Sequence, residues 1–491
     1  MTLVFKPAVG NRFIYSFATL VLSLYFISSL ASPSYALEFH SRALDELSPA
    51  ADGTVTIVES TPPEMDCPKS VNAETGFTAL VENARYELLF ESYYIQKGVS
   101  DKFIAALKSA ARRGVRIKML LADIAPADKT LAVELVSEFP GIQVRYINLR
   151  KSRWLYGSVH CKTVIADEKF TSCGGTNYSY AGFFENRETS VIIDDQNFAR
   201  NMKSIFERDW NMAAPGSTFA GSMSPSDSVA GTISKNDPNR ANCGNLAFEK
   251  PLPSDFLLLE AAPAELNNPY IHNMQPTLGY LIDRARRNIF MEMDYISDFG
   301  GVAAALERAM ARGVAVTLII EHRSYFDENP LYQPARDCIV RLAKTGMDVR
   351  LFNLSPLGRI DNRGMMHSKA AVIDDEWIFV GSANISKSGL LYSREAGVIF
   401  RNKKVAAALL EIFEKDRTNP FCLPAAEAVA GDHSYEVRKG KVPGTKVFVR
   451  RAKGAKTPDA FIFYNGKPGE FKFYDAGAVG AGACGDAGSL K

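Results

Sequence analysis

Two stretches of the 491-residue chain carry one set of reactive side chains at one spacing. The first is His160-Cys161-Lys162, then Asp167, then after six residues Gly174-Gly175-Thr176-Asn177. The second is His367-Ser368-Lys369, then Asp374, then after six residues Gly381-Ser382-Ala383-Asn384. In both, the asparagine follows the histidine by 17 residues and a glutamate, Glu188 or Glu395, follows it by 28. Residues i and i+2 of a strand share a face. Each histidine therefore points the same way as its lysine, while Cys161 and Ser368 point elsewhere. Each copy offers an imidazole, an ammonium and a carboxamide. Lysine suits phosphate as a compact charge, the amide adds neutral donors, and small residues let the backbone approach a ligand closely. Two copies face to face would set two lysines and two asparagines around one phosphorus, with a histidine on either side.

That set fits a two-step displacement. One neutral imidazole attacks phosphorus and forms a phosphohistidine. The other, protonated, donates to the leaving oxygen and then acts as base for the incoming water or alcohol. The lysines and asparagines stabilise charge on the non-bridging oxygens. A glutamate on the second ring nitrogen of each histidine would fix its tautomer and raise its basicity, a role for which Glu188 and Glu395 are candidates. The scheme needs no metal and no cofactor. Asp167 and Asp374 read as architectural, since repeated folds repeat structural residues. The histidine–lysine pairs have no such reading, because burying an unpaired lysine is costly.

An internal repeat supplies the elements that must position these groups. Residues 111–121 and 310–320 are both a helix end, an Arg-Gly cap (Gly114, Gly313) and an apolar strand. Upstream, 86–94 matches 287–295, each with one acidic residue, Glu91 or Glu292; downstream, 141–149 matches 346–354. Strand and helix alternate up to each motif strand, which indicates an α/β fold with a largely parallel or mixed sheet. The division is a first half over 37–212 (motif 154–181), a Ser/Gly/Pro/Ala-rich linker over 213–245, and a second half over 246–418 (motif 361–388). An extension of unknown role over 419–491 reads as a small β-rich appendage with a flexible Gly/Ala-rich end, and Asn465-Gly466 signals a turn.

Lys6 and Arg12, the apolar run 13–31 and Ser34-Tyr35-Ala36 form a signal-peptide pattern over 1–36. The expectation is a periplasmic or secreted protein; the alternative is a single N-terminal anchor. Cleavage would remove two basic residues from 57 and no acidic residue from 55, leaving a neutral chain. That argues against a dedicated nucleic-acid binder with a basic face. Seven cysteines, an odd count, include no CxxC pair, and the six histidines are scattered, so no metal-ligand cluster is read.

The two motifs with their Gly-Ser-x-Asn extensions resemble the phospholipase D superfamily over roughly residues 75–415. The resemblance implies two α/β sandwich halves with the active site at their interface, a phosphohistidine intermediate and no metal requirement. It carries catalytic roles to His160, Lys162, Asn177, Glu188, His367, Lys369, Asn384 and Glu395, and a substrate-binding role to Ser382. The family serine falls on Gly175 in the first half, so that hydroxyl is missing there. The N-terminal histidine of such pairs is usually the nucleophile, which assigns attack to His160 and acid/base work to His367.

Both loops entering the motifs, 150–157 and 356–366, mix basic with apolar or aromatic residues. Such a rim suits a lipid interface, with Trp154 as a substrate contact; it also suits single-stranded nucleic acid, and its apolar residues could equally be packing. The second motif with Arg394-Glu395 looks like bacterial phospholipase D and cardiolipin-synthase-type enzymes. The expectation is a phospholipid substrate at a membrane surface, with no obligate protein partner. Membrane-synthase relatives usually carry two N-terminal membrane helices, and the single apolar segment here tilts the expectation to headgroup hydrolysis. The alternatives are a phosphatidyltransferase and an exported metal-independent nuclease. A non-enzymatic binding module is disfavoured because both sets are complete.

Overall fold

The computed structural model describes residues 42–475, apart from 63–64, 66, 124–128, 150–156, 214–247, 264–265, 328, 358–363, 431–432, 440–444, 453 and 465–470. The signal-peptide pattern, Trp154, the linker beyond Ala213, the Asn465-Gly466 turn, Cys243, Cys484 and the Gly/Ala-rich end lie outside the described residues. The chain divides after Glu46, and both repeat sheets lie in the unit Leu47–Lys491.

The first half contributes β1 (Val55–Ser60), β2 (Val71–Asn72), β3 (Glu87–Ser92), β4 (Arg116–Ala122), β5 (Gln143–Ile147), β6 (Lys162–Ala166), β7 (Phe170–Gly174) and β8 (Glu188–Asp194). They form one sheet in the order β2-β1-β8-β7-β6-β3-β4-β5. The second half repeats the plan with β9 (Phe256–Ala261), β10 (His272–Asn273), β11 (Asn288–Met293), β12 (Ala315–Glu321), β13 (Asp348–Phe352), β14 (Lys369–Ile373), β15 (Trp377–Gly381) and β16 (Glu395–Arg401). A further strand, β17 (Cys422–Pro424), completes its order, β10-β9-β16-β15-β14-β11-β12-β13-β17. Both sheets are mixed. β3, β4 and β5 are parallel, as are β11, β12 and β13, because helices cross over between them. The motif strands β6 and β14 run antiparallel to β3 and β11.

β17 comes from beyond the repeat yet pairs with β13, so the second sheet takes its ninth strand from the C-terminal extension. A short helix, Ala425–Ala430, follows, and then a four-stranded antiparallel meander within 433–475, packed through Phe448 and Ile462 on Phe352, Leu354 and Leu357.

Alternation along the strands explains the layering. In β3, Leu88 and Phe90 face the helices Ala73–Asn83 and Asp101–Arg112. Leu89, between them, joins a core shared with Ala370, Val372, Val380 and Val398 of the other half. The helices Gln196–Met212 and Lys403–Arg417 contribute to that shared core through Phe198, Met202, Phe206, Leu409 and Phe413. The two sheets thus meet face to face, and no apolar boundary separates the halves.

The aspartate of each motif sits at the turn leaving its motif strand with a left-handed backbone, φ 55° at Asp167 and 54° at Asp374, which aspartate tolerates. Asp167 accepts from the backbone N–H groups of Arg85, Tyr86 and Glu87 at 2.7–2.9 Å. Asp374 accepts in the same way from Arg286, Arg287 and Asn288. Each carboxylate caps the entry of the neighbouring strand.

Two buried ion clusters join the halves. Arg187 pairs with Glu59 of its own half and, at 2.5 Å, with Asp416 of the other. Arg394 pairs with Glu260 at 2.8 Å and with Asp209 of the first half. Burial, and then the neighbouring Asp416 or Asp209, pushes the Glu292 and Glu91 carboxyls well above the carboxylate range, so each cluster holds one neutral acid. Arg187→Met should destabilise the protein by about 3–5 kcal/mol, because it leaves Glu59 and Asp416 buried without their counter-ion. Urea unfolding checks this, and a loss below about 1 kcal/mol would contradict the account.

Candidate active site

The site forms where the starts of β6 and β14 meet the starts of β16 and β8. Isolated bridges stitch the halves there: Val159 with Arg394, and Arg187 with Met366. The His160 backbone N–H donates to the Arg394 carbonyl at 2.8 Å, and the His367 N–H donates to the Arg187 carbonyl at 2.8 Å. The approach is close enough to require glycine three residues before each histidine. A Cβ on Gly157 would lie 2.1 Å from the Tyr392 carbonyl oxygen, and one on Gly364 would lie 2.7 Å from that of Leu354 and 3.1 Å from that of Glu185.

The glutamates reach across. His160 Nδ1 is 2.9 and 3.0 Å from the two carboxylate oxygens of Glu395. His367 Nδ1 is 2.8 and 2.9 Å from those of Glu188. Each histidine is therefore oriented by the glutamate of the opposite half, and Nε2 is the ring nitrogen left for chemistry. Register within one motif cannot reveal this exchange, since both glutamates sit at the same distance in sequence from their own histidine.

Lys162 and Lys369 are fully buried; each donates to the carbonyl of its own histidine, at 2.5 and 2.7 Å. The positive charge of Lys369 helps depress Lys162, and that of Lys162 helps depress His367, so both sets share one electrostatic site. Asn177 and Asn384 each bury an Oδ1 that has no hydrogen-bond partner among the described residues. These amides keep a polar end unspent.

The halves differ at the carboxylates. Ser382 Oγ donates to Glu395 Oε2 at 2.6 Å. At the matching Gly175 a Cβ would stand 3.0 Å from Glu188 Oε2, so a serine there would address Glu188 in the same manner. Instead Asn186 Nδ2 donates to Glu188 Oε1 at 3.2 Å. Asn186 was missed from the sequence, where its counterpart Ser393 gives no cue. A second difference lies after β3 and β11. Tyr93 stacks edge-on against the His160 ring at 5.1 Å between centroids. The matching Asp294 puts Oδ2 3.8 Å from His367 Nε2 and 3.6 Å from Lys369 Nζ.

Electrostatics follow the geometry. Burial drives His160 below the usual imidazole value of 6.5, against the pull of Glu395, which leaves it neutral near pH 7. Burial and then Lys369 push His367 well below that value, while burial raises its partner Glu188 to about 8. His367 and Glu188 share a hydrogen bond, so one proton serves both, and below about pH 8 the pair carries it. Burial lowers Lys162 to about 7.

Three comparisons bear on this site. A family model described as cardiolipin synthase, PLD-like domain, matches residues 77–210 and 278–417, one copy on each half. The chain is similar to cardiolipin synthase B of Escherichia coli K12, 25% identical over 348 residues, 68% of this chain and 75% of that protein. It is equally similar to the major cardiolipin synthase ClsA of Bacillus subtilis 168, 25% identical over 66% of this chain and 62% of the relative. Among solved structures, phosphatidylserine synthase of Haemophilus influenzae Rd KW20 shares the fold with a TM-score of 0.59 at 13% identity, over 79% of this chain and 91% of that one.

The crossed pairing is testable by NMR of protein labelled with 15N-histidine. Glu188→Gln should move the ring resonances of His367 and leave those of His160, and Glu395→Gln should do the reverse. A shift confined to the histidine of the mutated half would contradict the geometry.

Proposed function

This chain belongs to the phospholipase D superfamily, and we propose that it is a phosphatidyltransferase: it moves a phosphatidyl group from one phospholipid to an alcohol through a phosphohistidine. The observation that carries the chemistry is the pair of crossed His–Glu contacts, which leave two Nε2 atoms available in one site. The resemblance of both halves to cardiolipin synthases favours transfer over the hydrolysis expected from the sequence. The hydrolytic reading leaned on an N-terminal segment that lies outside the described residues.

In this reading His160, neutral and backed by Glu395, attacks phosphorus through Nε2. The bond to the leaving alcohol breaks, and its oxygen takes the proton held by the His367–Glu188 pair. An acceptor alcohol then attacks the phosphohistidine and returns its proton to His367 as the P–N bond breaks. Water in place of the alcohol gives hydrolysis by the same steps. Lys162, Lys369 and Asn177, all buried, face the non-bridging oxygens together with the half-buried Asn384, and donors removed from water act most strongly there. Bound phosphate would restore charge to Lys162 by placing an anion beside it, which offsets the effect of burial.

Purified protein, with EDTA present, should convert vesicles of phosphatidylglycerol into products bearing a transferred phosphatidyl group, with phosphatidic acid as the minor product. Phosphatidic acid alone would restore the hydrolytic reading, and cleavage of single-stranded DNA alone would reject a lipid substrate. His160→Ala and His367→Ala should each lower turnover by at least about 10³-fold, since both act in every cycle; near-normal turnover in either would reject the shared mechanism.

The pH profile of kcat/KM should be bell-shaped. Its acid limb lies below 6.5, because His160 must be neutral and burial lowers it. Its basic limb falls between about 7 and 8, as Lys162 loses charge and the His367–Glu188 pair loses its proton. A profile still rising above pH 9 would contradict this assignment of protons.

A further inference from the structure

The two histidines are near-copies, but their neighbours are not. On the His160 side the residue after β3 is Tyr93, whose ring lies edge-on to the imidazole and 5.8 Å from the Lys162 ammonium. On the His367 side the equivalent residue is Asp294. The two are placed by the same bond: the Tyr93 N–H donates to the Cys161 carbonyl, and the Asp294 N–H donates to that of Ser368. Ser324 Oγ fixes Asp294 further by donating to its carbonyl at 2.7 Å. The backbone is thus held from both ends, and the carboxylate is aimed at His367 Nε2, 3.8 Å away, and Lys369 Nζ, 3.6 Å away.

A carboxylate is an odd lining for a phosphate site, because it repels the non-bridging oxygens that Lys369 attracts. Its position resolves the difficulty. In an in-line displacement the leaving and entering alcohols occupy the face opposite the nucleophile, beside the acid/base. If His160 attacks, that face is the one Asp294 lines. An entering hydroxyl must hydrogen-bond Nε2 of His367 to give up its proton. A separation of 3.8 Å between Nε2 and Oδ2 lets one hydroxyl address the nitrogen while a neighbouring hydroxyl of the same molecule donates to the carboxylate. Lys369 already gives Asp294 a positive neighbour, so a neutral donor fits better there than an ammonium.

We propose that Asp294 selects the acceptor: it binds the second hydroxyl of an alcohol whose adjacent hydroxyl attacks the phosphohistidine, and so favours vicinal diols over simple alcohols. The step itself is unchanged. The P–N bond to His160 breaks, the P–O bond to the diol forms, and the diol proton passes to His367. This rests on the transfer chemistry and histidine roles given above, but not on a lipid donor.

The test uses a soluble donor, bis(p-nitrophenyl) phosphate, with the full chain and equimolar 1,2-propanediol and 1-propanol in competition. These acceptors differ by one hydroxyl. The ratio of their two product esters is set after the phosphoenzyme forms, so it is blind to any change in the rate of formation. The wild type should favour the diol about tenfold, the worth of one hydrogen bond to a charged group. Asp294→Leu should bring the ratio within about twofold, and Asp294→Asn, which keeps an acceptor oxygen without the charge, should fall between. The Asn variant preserves shape and carries the test if the Leu variant does not fold. A diol preference that survives in both variants overturns the proposal, as does ethanolamine outcompeting the diol in the wild type, or no alkyl ester from any alcohol. Transfer to the diol from the soluble donor but none from phospholipid vesicles would instead reject the lipid reading and leave the role of Asp294 standing.

Discussion

The structure depends on two dipeptides that cross the pseudo-twofold boundary, Arg187-Glu188 and Arg394-Glu395. Each does three things at once. The arginine side chain enters a buried cluster containing a carboxylate of the other half, Asp416 or Asp209. The arginine carbonyl accepts the backbone N–H of the opposite histidine. The glutamate next to it bonds that histidine's Nδ1. Ion cluster, strand entry and imidazole orientation are linked within two residues. A buried guanidinium stripped of its partners is far more costly than a surface one, so the cluster fixes the backbone, and the backbone fixes the ring. Neither half can hold its own histidine in the observed geometry.

On this symmetric frame the working differences are small and local. Glu395 receives a hydroxyl from Ser382, whereas Glu188 receives an amide from Asn186. The His160 ring has an aromatic neighbour and the His367 ring an anionic one. One site therefore contains two imidazoles with different proton affinities and different surroundings, as a ping-pong displacement requires: one group attacks while the other carries the proton.

The apolar packing supports the same arrangement. Leu89 and its neighbours on the facing side of the first sheet pack with Val372, Val380 and Val398 of the second, so the site is floored by a core common to both halves. That core excludes water from beneath two buried lysines and strengthens every electrostatic contact above it.

The sequence by itself determined the repeat, the strand–helix alternation and the identity of the eight candidate catalytic side chains, because period and spacing are local properties of the chain. It also marked Asp167 and Asp374 as architectural. The exchange of glutamates between halves was beyond its reach, since a spacing of 28 residues is equally consistent with a bond inside one half or across two. Asn186 and Asp294 were hidden for a related reason: each breaks the repeat, and a departure from a repeat looks like drift until distances place it beside a histidine. Gly175 was legible as a missing hydroxyl, but only the fold showed that an amide from 11 residues downstream takes its place at Glu188. Side-chain chemistry was written in the chain; which side chains meet was decided by two sheets packing face to face, because contact across that boundary depends on distance in space and not on distance in sequence.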